Sequence, residues 1–232
     1  MIPLRDDQPR FSTPLVTYFL VALNLLIFLF EAALTPDSVK ILLYQFGMVP
    51  ANITTYLSGS SRLGLVAVLL PALTSMFLHG SWMHVIGNMW FLWIFGDNIE
   101  DYLGHFSYLS FYLASGLAAA FAQVILSPHS PVPTVGASGA IAGVLGAYFV
   151  LYPKARVLIW FPILFLFHLP AWVMLGYWFL MQFVSGAATS LAAYSDTRGG
   201  VAFWAHVGGF VAGIVLVKLI PERPRRYRYG TW

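Results

Sequence analysis

Long runs without a single charge alternate along this chain with short clusters of charge. Residues 11–30, 63–96, 102–153, 157–195 and 199–217 contain no Asp, Glu, Lys or Arg. A helix needs about 20 apolar residues to cross the hydrocarbon core of a bilayer, so runs of this length predict several crossings. The first span is expected near 13–34. The run 63–96 is longer than one helix and is interrupted by Pro71, His79 and His84. It predicts a helix near 82–96, preceded by an interfacial or re-entrant segment at 63–81. The run 102–153 divides into helices near 103–126 and 137–153, because the prolines of Ser127-Pro-His-Ser-Pro-Val-Pro133 forbid continuous helix. Pro162 and Pro170 break the next run and leave a span near 170–188, and the last span is expected near 202–220.

Six spans return the chain to the side on which it begins. With the termini inside, the inner segments carry Arg5, Arg10, Lys154, Arg156, Lys218, Arg223, Arg225, Arg226 and Arg228, and the outer segments carry Lys40, Arg62 and Arg198. The excess of basic residues inside is what the positive-inside rule requires, and the acidic turn Asp97–Asp101 does not enter it. The expected organisation is an all-α, polytopic six-helix bundle over 13–220, a cytoplasmic N-terminal segment 1–12 and a basic cytoplasmic tail 221–232. Both termini are expected to be cytoplasmic and the membrane a prokaryotic plasma (inner) membrane. Met1–Arg10 has mixed charge and the first apolar run ends at Glu31 without a small-residue cleavage pattern, so no cleaved signal peptide is expected.

Composition supports the class: 59% of residues are apolar, 9% are charged and the mean hydropathy is +0.77. Soluble domains carry about 25% charged residues. There is no cysteine, which excludes disulfides, thiolate catalysis and cysteine-bound metal. The net charge of +3 gathers at the membrane edges, notably at Lys218, Arg223, Arg225, Arg226 and Arg228. It reads as an anchor to the lipid bilayer, and no nucleic-acid partner is expected.

Inside a bilayer the informative residues are polar, because each costs free energy unless it is paired or functional. Gly136-Ala-Ser-Gly-Ala140 opens the short helix near 137–153, which at 1.5 Å per residue reaches roughly 25 Å and falls short of a core of roughly 30 Å. Ser138 then sits below the membrane surface at the floor of the proline-rich loop, beside the free N–H groups of a helix N-terminus. Taken alone, Ser138 is more often a helix-packing serine among small residues. In the last helix, Ala205, Gly209 and Gly213 form a small-residue stripe with His206 beside it. Gly139/Gly143 and Ser138/Ala142/Gly146 form matching stripes that allow close approach. A lone histidine there is commonly a structural hydrogen-bonding group; opposite a serine at a helix mouth it points to catalysis. Finally, His84 and Asn88 project from one helical face and can both donate to a developing oxyanion, while His79 in the preceding loop braces it. A zinc site of His79, His84 and His206 is the rival reading, but no HExxH motif or neighbouring carboxylate completes it, so no metal and no cofactor are expected.

Together these residues resemble the rhomboid family of intramembrane serine proteases. The resemblance rests on the GxSG box Gly136–Gly139, on AHxxGxxxG at Ala205–Gly213, and on His79, His84 and Asn88 in order. Glu100 matches an acidic position after the second helix. It implies an endopeptidase that cuts transmembrane segments of protein substrates through a Ser138–His206 dyad, with His84, Asn88 and the Ser138 N–H as the oxyanion hole. It places His79, Gly136, Gly139, Gly209, Gly213 and Glu100 in support. Substrate would enter beside the helix near 170–188, with Ala188–Gly200 as a cap. Some members carry an aromatic residue four positions after the serine, stacked on the histidine; Ala142 stands there, so another ring supports His206 or none does. A catalytically dead relative that binds membrane clients and a transporter or channel are the competing classes. The first commonly lacks the serine or the histidine, and the second predicts paired broken helices.

Overall fold

The computed structural model describes residues 1–161, 165–191 and 201–223. Over these residues the chain forms nine α-helices and a small three-stranded sheet. The six expected helices all form: α1 (Leu15–Ala32), α5 (Trp82–Leu103), α6 (His105–Leu126), α7 (Ser138–Leu151), α8 (Ala171–Leu191) and α9 (Phe203–Leu219). Between α1 and α5 lie three shorter helices, α2 (Pro36–Phe46), α3 (Pro50–Leu57) and α4 (Leu65–Thr74). A 3₁₀ turn at Ser75–Phe77 follows α4. Among the described residues, α1, α6 and α8 are long and apolar enough to cross a membrane. The segment Leu65–Phe77 and α5 together make a fourth candidate, bent by 75°. Helices α7 and α9 are apolar but shorter; the 14 residues of α7 reach only about 21 Å at 1.5 Å per residue.

Two expectations are corrected. The acidic stretch Asp97–Asp101 is not a turn but the continuation of α5, which ends at Gly104 with φ 78°. Its carboxylates find partners at the start of α1. Glu100, fully buried, accepts from Val16 N (2.8 Å), Thr17 N (2.7 Å) and Thr17 Oγ1 (2.7 Å), and Asp101 accepts from Ser12 Oγ (2.5 Å). Glu100 thus satisfies the N–H groups that a helix start leaves open. The fold is also not purely helical. Strands β1 (Ile2–Arg5), β2 (Arg156–Phe161) and β3 (Phe165–Pro170) pair antiparallel in that order, with Ile2 opposite Trp160 and Arg156 opposite Pro170. Val157 and Ile159 face the core while Arg156 and Trp160 are exposed, which is the alternation of a half-buried strand.

The two ends of the described chain meet at one end of the bundle. Arg223 N donates to Tyr102 O at 2.8 Å, Arg156 N donates to Asp7 at 2.8 Å, and the Tyr148 hydroxyl donates to Asp6. Burial raises the Asp6 carboxyl above the usual aspartate range, against the opposing effect of that hydrogen bond. At the other end, the proline-rich loop after α6 is tied to the segment after α1. Met48 and Thr134 exchange backbone hydrogen bonds of 3.0 and 2.8 Å, and Thr54 Oγ1 donates to Pro128 O at 2.8 Å.

In the centre, α7 and α9 run parallel with almost nothing between them. A Cβ placed on Gly209 would strike the carbonyl of Gly139, one on Gly213 the carbonyl of Gly143, and one on Gly146 the carbonyl of Phe210. Small-residue stripes of this kind let helix backbones touch. Helix α6 closes the third side, where Gly143 faces Ser115 and Gly139 faces Ala119.

Candidate active site

The site lies where the loop end of α7 meets the N-terminal halves of α5 and α9. Ser138 is the first residue of α7, following Ala137 as cap. Gly136, two residues earlier, has φ 122°, a conformation open to glycine and strained for other residues. Its amide donates to Ser75 O at 2.8 Å, which fastens the loop to the 3₁₀ turn. The glycine stripe brings α9 close enough for His206 Nε2 to lie 2.8 Å from Ser138 Oγ. His206 is 8% exposed.

His84 and Asn88 share one face of α5, as their four-residue spacing dictates. They converge on the space beside Gly136: a Cβ there would lie 2.6 Å from His84 Nε2 and 3.5 Å from Asn88 Nδ2. Asn88 Nδ2 also sits 3.0 Å from His79 Nε2. One N–H of the amide is thereby engaged by His79, and the second remains for the site. His79 is held in turn by its backbone N–H, which donates to Glu31 at 3.2 and 3.3 Å. Glu31, at the end of α1, is 1% exposed.

Of the expected residues, Ser138, His206, His84, Asn88, His79 and Gly136 gather around this one place, while Gly139, Gly209 and Gly213 form the α7–α9 seam that brings it together. Glu100 does not. It lies sixteen residues beyond His84 on α5, roughly 24 Å along the helix at 1.5 Å per residue, and braces α1 at the opposite end. Of the expected cap Ala188–Gly200, residues 188–191 continue α8, and 192–200 lie outside the described residues. Among the described residues, no three His, Asp or Glu side chains converge as metal ligands would.

Three residues of the site escaped the sequence reading. Trp178 on α8 supplies the ring beside His206 that Ala142 does not, with centroids 5.7 Å apart and planes 35° apart. Gln182, one turn later on the same face, lies with Oε1 2.7 Å from His206 Nδ1. Glu31 is the third. A polar side chain within an uncharged run was the available signal for Gln182. Nothing in its spacing connects it to a histidine on another helix.

A narrow cavity opens beside Ser138, walled by Met76, Gly116, Ala119, Gly136 and Ala205. A hydroxyl 2.8 Å from an imidazole nitrogen, with polar side chains converging next to it, is an arrangement suited to acyl transfer.

A family model described as the Rhomboid domain matches residues 67–223. Rhomboid protein 1, mitochondrial, of Saccharomyces cerevisiae is 31% identical over 168 residues, covering 68% of this chain and 45% of that protein. Presenilin-associated rhomboid-like protein, mitochondrial, of Homo sapiens is 32% identical over 152 residues, covering 62% and 36%. Rhomboid-like protein 11, chloroplastic, of Arabidopsis thaliana is 34% identical over 157 residues, covering 65% and 52%. The chain spans between about a third and a half of the length of these relatives. Their names correct the expectation of a prokaryotic plasma membrane with cytoplasmic termini, since all three are organellar. The physical reason is that basic residues report which side a loop faces and carry no information on which membrane is crossed.

Proposed function

The chain belongs to the rhomboid family, and we propose that it is an intramembrane serine endopeptidase that cleaves transmembrane segments of other proteins. The observation that carries this reading is the 2.8 Å approach of His206 Nε2 to Ser138 Oγ. His206 takes the hydroxyl proton as Oγ attacks the scissile carbonyl, and negative charge passes to the carbonyl oxygen. The Ser138 N–H, His84 and Asn88 hold that oxygen. His206 then gives its proton to the departing amine, which leaves an acyl-enzyme. Water, deprotonated by the same nitrogen, adds to the ester, and the serine is released with its proton restored.

In this reading α1, α5, α6, α7, α8 and α9 each cross the bilayer, and the shortness of α7 sinks Ser138 below the surface. The cavity walled by Met76 and Ala119 favours a small side chain before the scissile bond. The relatives' names support an organellar membrane.

Purified protein is expected to cleave a reporter transmembrane substrate and to be labelled by a fluorophosphonate probe. Ser138→Ala and His206→Ala should each abolish cleavage with the folded state retained. Cleavage at the wild-type rate by Ser138→Ala would overturn the mechanism. Capture of uncleaved clients by the Ser138→Ala protein would identify the substrate.

A further inference from the structure

His206 has two ring nitrogens, and only one placement of the ring proton suits the chemistry above. Nε2 must be bare to take the serine proton, so the proton of the neutral ring must reside on Nδ1. The serine hydroxyl does not impose this choice, because it can donate or accept. Gln182 Oε1, 2.7 Å from Nδ1, favours it: in this orientation the amide presents its oxygen, which only accepts. Trp178, four residues earlier on the same face of α8, lies against the ring. One helix therefore fixes both the in-plane rotation and the tilt of the imidazole, while α7 and α9 fix only its distance from the serine.

We propose that Gln182 is a positioning residue for His206: its amide oxygen holds the ring proton on Nδ1 and leaves Nε2 free toward Ser138, making Ser138, His206 and Gln182 an uncharged triad. The proposal rests on the serine-protease reading and deepens it. When Nε2 receives the serine proton, the ring becomes a cation, and the amide dipole stabilises it through the same bond. An amide suits this place better than a carboxylate, because a permanent anion within the bundle would carry a heavy desolvation cost. Of the titratable groups, His84 on α5 also acts electrostatically on His206 and is unchanged in the variants below.

The test uses the full chain in proteoliposomes with ¹⁵N-labelled histidine. The wild-type spectrum should show His206 protonated at Nδ1 and bare at Nε2. Gln182→Leu removes the acceptor at similar volume. It should lower kcat about 10–100-fold, the cost typical of losing the outer partner of a working histidine. KM should change little, and exclusive Nδ1 protonation should be lost. Gln182→Glu keeps an acceptor, so turnover should recover in part. The acidic limb of its rate profile should move to higher pH, because a carboxylate stabilises the cationic ring more strongly. A merely structural glutamine would not move that limb. Wild-type kcat and an unshifted limb in both variants would overturn the proposal, as would His206 protonated at Nε2 in the wild type. If Gln182→Leu does not fold, the Gln182→Glu profile and the wild-type spectrum decide. A wild-type protein that neither cleaves nor labels with fluorophosphonate defeats the serine-protease reading instead, and the spectrum still reports the tautomer.

Discussion

Helices α9 and α8 both reach the same imidazole, and they do so by opposite means. Helix α9 meets α7 backbone to backbone, through Gly209 and Gly213 lying on the carbonyls of Gly139 and Gly143. Helix α8 meets His206 through two long side chains, Trp178 and Gln182. The first contact has no adjustable parts and sets the separation of Ser138 and His206. The second is made of rotatable bonds and sets which way the ring faces. Distance and orientation are thus specified by different helices. Damage to the first should be read in stability, and damage to the second in turnover.

The sharpest way to break this division is to place a side chain in the α7–α9 seam. Gly213→Val drives its Cβ into the backbone of Gly143, which cannot swing aside as a side chain would. It should cost about 3 kcal/mol or more, at or beyond the upper end of overpacking, visible as a lowered thermal midpoint in detergent. An unchanged midpoint would show that the seam is not what holds these helices. Next comes Gly136→Ala. Here a Cβ must adopt a strained φ of 122° and displace His84 Nε2 from 2.6 Å. Turnover should fall about 10²-fold, the worth of one oxyanion donor, with a smaller loss of stability. Trp178→Ala removes the ring without touching the seam. A ring pair contributes about 0.5–1.5 kcal/mol, so the rate should drop by up to about tenfold, while the thermal midpoint moves less than in Gly213→Val. Equal effects on both readouts would erase the contrast between α8 and α9.

The smallest effect is expected at the opposite end of the bundle from the site, at Asp6. Its carboxyl is raised by burial, so the folded state holds a proton that the unfolded state releases. That contribution to stability is complete below the ordinary aspartate range and is lost as pH rises through the raised value. Amide protection factors at residues 2–8, with the intrinsic pH dependence of exchange divided out, should therefore rise on acidification toward pH of about 4, and Asp6→Asn should remove that rise. Protection in Asp6→Asn that still rises on acidification would assign the effect to another group.

How much of this was legible depended on whether the signal was local. Ser138, His206, His84 and Asn88 stood out because each is polar within an apolar run and carries glycine or helical spacing around it. The same logic found all six expected helices. It misread Asp97–Asp101 as a turn, because the partners of Glu100 and Asp101 lie 83 to 89 positions earlier, at Ser12, Val16 and Thr17. The sheet was hidden for a similar reason. A short apolar run such as 157–161 suits a strand or a buried helix equally by periodicity. The choice is made by β1, whose Ile2 pairs with Trp160. Gln182 shows the limit most plainly. Its meaning depends on the rotation of α8 about its own axis relative to α9, which no spacing along one helix encodes.

The seam between α7 and α9 also bears on how the length of this chain can vary. Gly139 opposes Gly209 and Gly143 opposes Gly213, two pairs with an identical offset of 70 positions. One residue inserted between Gly139 and Gly143 would turn everything after it by about 100° and leave only one of the two pairs in register. Insertion of a single residue between Gly209 and Gly213 would do the same from the other side. The two helices are graduated like the halves of one ruler, and a change of length on either must be matched on its partner.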